Sequence, residues 1–139
     1  MGKNKQKNKI PVSPLPSPIV QGKAMRPSVS FSFKYIDQTN GIFNLQGQTM
    51  RYVHLILEKL KSYSNFTIPE MISNGSKALR CHPIRWEDTS QKGFPVKKEL
   101  YEGAAYQFSI MKSRGRIAGF IIKDIFYIVW VDPHHKLYP

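Results

Sequence analysis

The sequence predicts a small α+β domain, a mainly antiparallel sheet with two helices on one face, preceded by a disordered, basic, proline-rich arm. Apolar residues alternate with polar ones at the start of the core and again in its last third, which is typical of strands, and recur at helical spacing in between. The chain of 139 residues has the length of one domain. We therefore assign residues 1–28 to the arm and residues 29–139 to a single folded domain.

The arm contains half of the ten prolines and has no apolar periodicity, so we expect it to be extended and mobile. It also holds six of the 21 lysines and arginines and none of the nine acidic residues. Its prolines from Pro11 to Pro18 could present a polyproline ligand, although a plain spacer is favoured. Its alternating lysines, from Lys3 to Lys9, could follow a phosphate backbone.

A strand and two helices are predicted for the first half of the core. Val29–Ile36 alternates and should form a strand. Gln48–Tyr63 has helical spacing, and we expect its buried side to consist of Val53, Ile56, Leu57 and Leu60. Thr67 and Glu70 match a capping box, which predicts a short second helix from Ile68 to Ser73.

Three or four strands are predicted for the second half. Leu79–Trp86 could be a strand, but Pro83 confines it to a sheet edge or a bulge. Ala105–Met111 alternates and should present Gln107 and Ser109 on a polar face that is open to water or to a ligand.

The last two strands should form a hairpin. Arg116–Ile122 and Ile125–Val131 are apolar and are separated by two residues, the spacing of a tight turn. Counting back from the turn places Arg116 opposite Val131, close to the C-terminal tail. Both faces of the last strand are apolar, so it should lie well inside the sheet.

The net charge of +12 favours polyanionic partners: RNA, the ribosome, DNA or an acidic protein. The alternative is a charged surface that only keeps the protein in solution. A single cysteine forms no internal disulfide, and no stretch is apolar enough for a signal peptide or a membrane span. We expect a cytoplasmic protein with no membrane partner.

Familiar catalytic motifs are missing from the sequence, including glycine-rich phosphate loops, nucleophile elbows and zinc-binding motifs. Instead, several arginine, lysine, histidine and tyrosine residues lie at the ends of predicted strands. The candidate catalytic residues are Arg116, His134, His135 and Tyr138, and the candidate substrate-binding residues are Arg80, His82, Arg85, Arg114 and Lys136. Cleavage of RNA by its own 2′-hydroxyl needs a base, cations and an acid, which these side chains supply without a metal or other cofactor.

These residues also have simpler roles. His134 and His135 point to opposite sides of an extended chain, so at most one faces a site, and either could be a solvent-exposed tail residue. Tyr138 could anchor the tail, and Asp132 should cap the turn into it. Cys81 and the histidines could bind zinc, although two adjacent pairs rarely converge.

A further pattern joins three C-terminal segments: Gly115–Phe120, Phe126–Val131 and the tail His134–Tyr138. An arginine-bearing strand, an apolar strand and a tail with His and Tyr together resemble the RelE/ParE superfamily of toxins from bacterial toxin–antitoxin modules. The resemblance implies a RelE-like sheet, metal-free cleavage of ribosome-bound mRNA, and neutralisation by a protein antitoxin. It also implies that Arg116 holds the phosphate, that His134 or His135 is the base, and that Tyr138 is a further acid/base or orienting group.

The leading hypothesis is therefore a metal-independent endoribonuclease, a toxin that cleaves ribosome-associated mRNA. One alternative is a non-catalytic module that binds RNA, the ribosome or DNA. Another is an interaction protein that holds an acidic partner.

Overall fold

The computed structural model describes residues 27–73, 80–111 and 114–139. Nearly all of the predicted arm, and Leu79 at the start of a predicted strand, lie outside these ranges. The described chain contains five strands, three α-helices and one 3-10 helix. In chain order they are β1 (Ser30–Ser32), α1 (Met50–Tyr63), α2 (Ile68–Met71), β2 (His82–Pro83), the 3-10 helix (Trp86–Asp88), α3 (Lys98–Tyr101), β3 (Ala105–Ser109), β4 (Arg116–Ile122) and β5 (Ile125–Asp132).

The strands form one sheet in the order β1-β5-β4-β3-β2. Only β1 runs parallel to its neighbour β5, and the other pairs are antiparallel. The predicted α+β class and the mainly antiparallel sheet are confirmed. β2 lies at a sheet edge, as its proline requires.

The first strand is shorter than predicted. It ends at Ser32 because the chain then turns, with the Ile36 amide donating to the Phe33 carbonyl at 3.1 Å. The next amide, that of Asp37, donates to the Val129 carbonyl of β5 at 2.8 Å. The chain after β1 is thus tied to the middle of the last strand.

The helix α1 begins at Met50, where the N-cap Thr49 accepts a hydrogen bond from the Tyr52 amide. The prediction that Leu57 is buried is wrong, because Leu57 is 58% exposed. The buried stripe is instead Tyr52, Ile56, Leu60 and Tyr63. Two tyrosines, which have apolar rings with polar tips, replace the aliphatic positions that the periodicity favoured.

The second helix, α2, starts with the predicted capping box. Thr67 Oγ1 accepts from the Glu70 amide at 3.3 Å, and Glu70 Oε1 accepts from the Thr67 amide at 2.8 Å. The helix ends at Met71, two residues before the predicted end. The local pattern therefore identified the start of this helix correctly.

Hydrophobic residues cover both faces of the sheet. The helices α1 and α2 pack on one face, around Phe108, Ile117 and Phe126. The 3-10 helix, α3 and the C-terminal tail cover the other face, around Phe120 and Trp130. The prediction of an open polar face on β3 is wrong, because Gln107 and Ser109 are only 4% and 3% exposed.

The hairpin of β4 and β5 has the predicted two-residue turn but not the predicted register at its far end. Ile122 pairs with Ile125 as expected, but Ala118 pairs with Trp130, which leaves Val129 as a bulge. The bulge is held by the hydrogen bond from Asp37 and needs Gly119 opposite, where a Cβ would collide with the Tyr127 carbonyl.

As a consequence of the bulge, Arg116 lies opposite Asp132 rather than Val131. Residues directly opposite each other in an antiparallel pair project from the same face of the sheet. The single extra residue in β5 therefore brings a carboxylate beside the predicted phosphate-binding arginine.

Candidate functional site

A polar row crosses three strands on the sheet face opposite α1. Ser109 of β3, Arg116 of β4 and Asp132 of β5 lie side by side in register. The half-buried Arg116 donates through Nη1 to Ser109 Oγ at 3.3 Å and to the Gly115 carbonyl at 3.0 Å. The guanidinium is thus oriented by neighbouring strands.

Burial lowers the pKa of Arg116, and the charge of Arg80 lowers it further, whereas Asp132 and Tyr63 oppose the shift. Arginine remains protonated in proteins even so. The positive charges of Arg116 and Arg80 are thus close enough to affect each other, and guanidinium groups bind carboxylate and phosphate through paired hydrogen bonds.

Asp132 folds the C-terminal tail back onto the sheet. Its carboxylate is 1% exposed and accepts hydrogen bonds from the backbone amides of Lys136 at 2.8 Å and Leu137 at 2.9 Å. From the other side, Ser90 donates through Oγ to the Lys136 carbonyl at 2.7 Å and through its amide to the Leu137 carbonyl at 2.8 Å. The predicted cap is confirmed.

The turn that Asp132 holds contains His135. This residue has a φ of +57°, and Arg80, with a φ of +47°, is also in the left-handed region. Non-glycine residues rarely adopt this conformation, which costs about 1–3 kcal/mol and concentrates at functional sites. The described ranges contain three such residues. Arg80 and His135 each interact electrostatically with Arg116, and the third, Lys123, lies in the β4–β5 turn.

The environment of His135 favours a neutral imidazole. Burial and then the charge of Arg116 lower its pKa below the ordinary 6.5, and Asp132 opposes them. The His135 Nε2 atom is enclosed and has no hydrogen-bond partner among the described residues. Unsatisfied buried polar atoms are rare in native proteins, and a functional role is one explanation for them.

A second polar row lies one pair further along β3, where His82 of β2 sits opposite Gln107. The two Nε2 atoms are 3.2 Å apart, and His82 Nδ1 is 3.1 Å from the Pro83 carbonyl. The amide donates to His82 Nε2 when the ring carries its hydrogen on Nδ1, which in turn donates to Pro83. Gln107 Oε1 is enclosed without a partner in the described part of the chain.

Tyr138 anchors the tail beside this second row. Its hydroxyl oxygen accepts a hydrogen bond from the Arg85 amide at 2.8 Å, and its ring meets the His82 ring edge-on at 5.9 Å. The hydroxyl hydrogen is still available to a further acceptor, because the contact with Arg85 uses only an oxygen lone pair.

The other predicted site residues are placed less favourably. The Arg85 side chain pairs with Glu87 and Asp88, each at 3.4 Å. Arg114 is exposed and contributes its carbonyl to the Tyr52 hydroxyl, and the Lys136 side chain is also exposed. His134, too, is exposed, and its ring makes no hydrogen bond to any residue in the described ranges.

Within the described ranges, no group of three or more His, Cys, Asp or Glu side chains could hold a metal ion. Burial also raises the pKa of Cys81 to about 12, so its thiol stays protonated and is a poor ligand and nucleophile. The structure thus brings Arg116 within electrostatic reach of His135 and of Arg80. It places His82 in ring contact with Tyr138, one pair further along the sheet.

The sequence-based search missed three polar residues of the site as functional candidates: Gln107, Ser109 and Asp132. The alternation of polar and apolar residues in β3 did indicate that Gln107 and Ser109 share one face of the strand. Their pairing with His82 and Arg116 depends on sheet register, which no local pattern reveals.

No protein-family model, curated protein or solved structure matches this chain. In the portion that the structure describes, no helix is both long and apolar enough to cross a bilayer. Function is therefore inferred from the geometry and chemistry of the site.

The lowered pKa of His135 predicts a pH dependence of stability. In the unfolded chain this histidine titrates near 6.5 and in the folded chain below it, so the unfolded state binds the proton first. The contribution of His135 to the free energy of unfolding is complete above pH 6.5. It is lost as the pH falls through the folded-state pKa. Urea unfolding at several pH values measures this effect. On acidification, the free energy of unfolding should fall less for His135→Gln than for the unmodified protein.

The matched control for this measurement is His134→Gln, which changes the exposed neighbour. We expect this control to retain the full pH dependence. If the free energy of unfolding has the same pH dependence in His135→Gln and in the unmodified protein, His135 is not held in a neutral state.

Proposed function

We propose that this chain is a metal-independent endoribonuclease that cleaves RNA by attack of a ribose 2′-hydroxyl on the adjacent phosphate. The observation that carries the proposal is the position of His135 in the tail turn held by Asp132, which lies opposite Arg116 in the sheet. Burial and the charge of Arg116 lower the pKa of His135 there. A neutral imidazole next to a phosphate-binding cation is the pairing that this reaction requires.

His135 acts as the base. It accepts the proton of the 2′-hydroxyl while the 2′-oxygen forms a bond to phosphorus and the bond from phosphorus to the 5′-oxygen breaks. The Nε2 atom is enclosed, and we therefore assign the contact with the substrate to Nδ1. A hydrogen on Nε2 leaves the lone pair on Nδ1 free to take the proton.

Arg116 stabilises the charge that develops on the phosphorane oxygens, and Arg80 adds to the positive field. Tyr138 gives its hydroxyl proton to the leaving 5′-oxygen. Its oxygen is held by the Arg85 amide, which orients the hydroxyl without using its hydrogen. The products are a 2′,3′-cyclic phosphate and a 5′-hydroxyl.

The resemblance of the β4–β5 hairpin and tail to RelE/ParE toxins extends the proposal to the fold subtype and the biological role. On this basis the domain is RelE-like, the substrate is mRNA on the ribosome in the cytoplasm, and a protein antitoxin neutralises the activity. The net charge of +12 suits a polyanionic target such as the ribosome.

A second candidate is a module that binds RNA with the same cations and does not cleave it. Two observations favour this candidate. The Tyr138 hydroxyl anchors the tail through the Arg85 amide, and His135 Nε2 is enclosed, away from a substrate. It predicts RNA binding by folded protein without new RNA ends.

The test uses two substrates. Naked RNA with EDTA should be cleaved if the reaction needs no metal and no ribosome. Translating ribosomes in their usual buffer should show cleaved mRNA with cyclic phosphate ends, and an mRNA with a 2′-deoxyribose at the cleaved position should stay intact. If folded protein leaves both substrates intact, the nuclease proposal fails, and binding without cleavage would then support the second candidate.

A further inference from the structure

A cleft with a volume of about 300 Å³ opens beyond the β2 edge of the sheet. Its walls include Pro83, Trp86, Lys92, Lys98, Tyr101 and Glu102. The volume is at the lower end for small-molecule sites and suits one flat ring system with its substituents. None of the proposed catalytic residues contributes to these walls.

The aromatic wall of the cleft is held rigidly. The Trp86 ring makes edge contacts with Phe94 at 4.9 Å, Tyr101 at 6.0 Å and Trp130 at 6.3 Å. The Tyr101 hydroxyl accepts a hydrogen bond from the Phe94 amide at 3.2 Å. A fixed indole that lines a cleft loses little entropy when a ligand stacks on it, and nucleic-acid bases are the ligands that stack on such rings.

The charged side chains of the cleft complement a nucleotide. Lys92 and Lys98 are exposed, and neither forms an ion pair with a described residue. Binding of a phosphate to these lysines therefore breaks no ion pair with a described residue. The carboxylate of Glu102 can accept hydrogen bonds from the amino group of a base.

The cleft and Arg116 lie toward opposite ends of β3. Ala105 lines the cleft at one end of β3, and Ser109, which contacts Arg116, is at the other end. Ala105 and Ser109 are four residue steps apart along the strand, which is about 13 Å at roughly 3.3 Å per residue. Between them lies His82, whose neighbour Pro83 is part of the cleft wall.

We propose that this cleft binds one nucleotide of a single-stranded RNA, with the base against Trp86 and a phosphate near Lys92 and Lys98. The bound nucleotide belongs to the same strand as the one whose phosphate lies at Arg116. This assignment rests on the proposed function for the location of the cleaved bond, but binding itself can be measured without cleavage.

The test is fluorescence anisotropy of the full chain with a labelled oligoribonucleotide that carries 2′-O-methyl groups throughout and so cannot be cleaved. Removing both cleft lysines, by Lys92→Ala with Lys98→Ala, should weaken binding about tenfold and flatten its salt dependence. Trp86→Leu should also weaken binding about tenfold, through loss of stacking. Because Trp86 also packs on the core, the lysine variant keeps the test valid if Trp86→Leu fails to fold.

The matched control removes two exposed cations from α1, on the other side of the sheet, by Arg51→Ala with Lys61→Ala. Equal weakening by this control would overturn the proposal, because binding would then follow net charge alone. Unchanged binding in the folded cleft variants would also overturn it. If the unmodified protein cleaves no RNA but the cleft variants bind the oligoribonucleotide more weakly, the result supports nucleotide binding in the cleft and contradicts the nuclease proposal.

Discussion

Replacing Arg116 with alanine is expected to lower the rate of RNA cleavage by about a hundredfold to a thousandfold, the loss typical of removing one donor that stabilises transition-state charge. The guanidinium is oriented by its hydrogen bond to Ser109, and its charge acts on His135. Arg116→Lys should recover only part of the rate, since an ammonium group cannot hold two phosphate oxygens in one plane.

Single-turnover cleavage of a synthetic RNA measures this effect, with circular dichroism to show that the variants are folded. Arg114→Ala is the matched control, because Arg114 is exposed and lies two residues away on the same segment. Its cleavage rate should stay within a few-fold of the unmodified protein. A similar loss in both variants, or no loss for Arg116→Ala, would contradict the assigned role.

Replacing Asp132 with alanine is expected to lower the free energy of unfolding by about 3–5 kcal/mol, because the change breaks a buried charged network and leaves its partners unsatisfied. The lost hydrogen bonds are those from the amides of Lys136 and Leu137. Leu137 is fully buried, so release of the tail also exposes part of the core. His135 loses its position at the same time.

Urea unfolding measures the change in stability, and limited proteolysis followed by mass spectrometry shows whether the tail is released. Asp88→Ala is the control, since its contact with Arg85 is exposed and such pairs contribute little, about 0–1 kcal/mol. Asp132→Asn, which keeps one acceptor oxygen, should have an intermediate effect. Unfolding free energies for Asp132→Ala within about 0.5 kcal/mol of the unmodified protein would show that the tail is held by other contacts.

The sequence alone determined the features that depend on neighbours along the chain. The capping box of Thr67 and Glu70 and the two-residue turn of the hairpin both involve residues a few positions apart, so their patterns are local. The ion pairs of Arg85 with Glu87 and Asp88 are local in the same way, because the three residues lie within four positions of the chain.

Only the tertiary structure decided the contents of the site. The bulge at Val129 depends on a hydrogen bond from Asp37, far away in the chain, and without this bulge Asp132 would not face Arg116. The choice between His134 and His135 depends on the backbone of a turn that the buried carboxylate of Asp132 holds. Register, burial and turn geometry are set by contacts between distant segments, and residue types alone do not encode them.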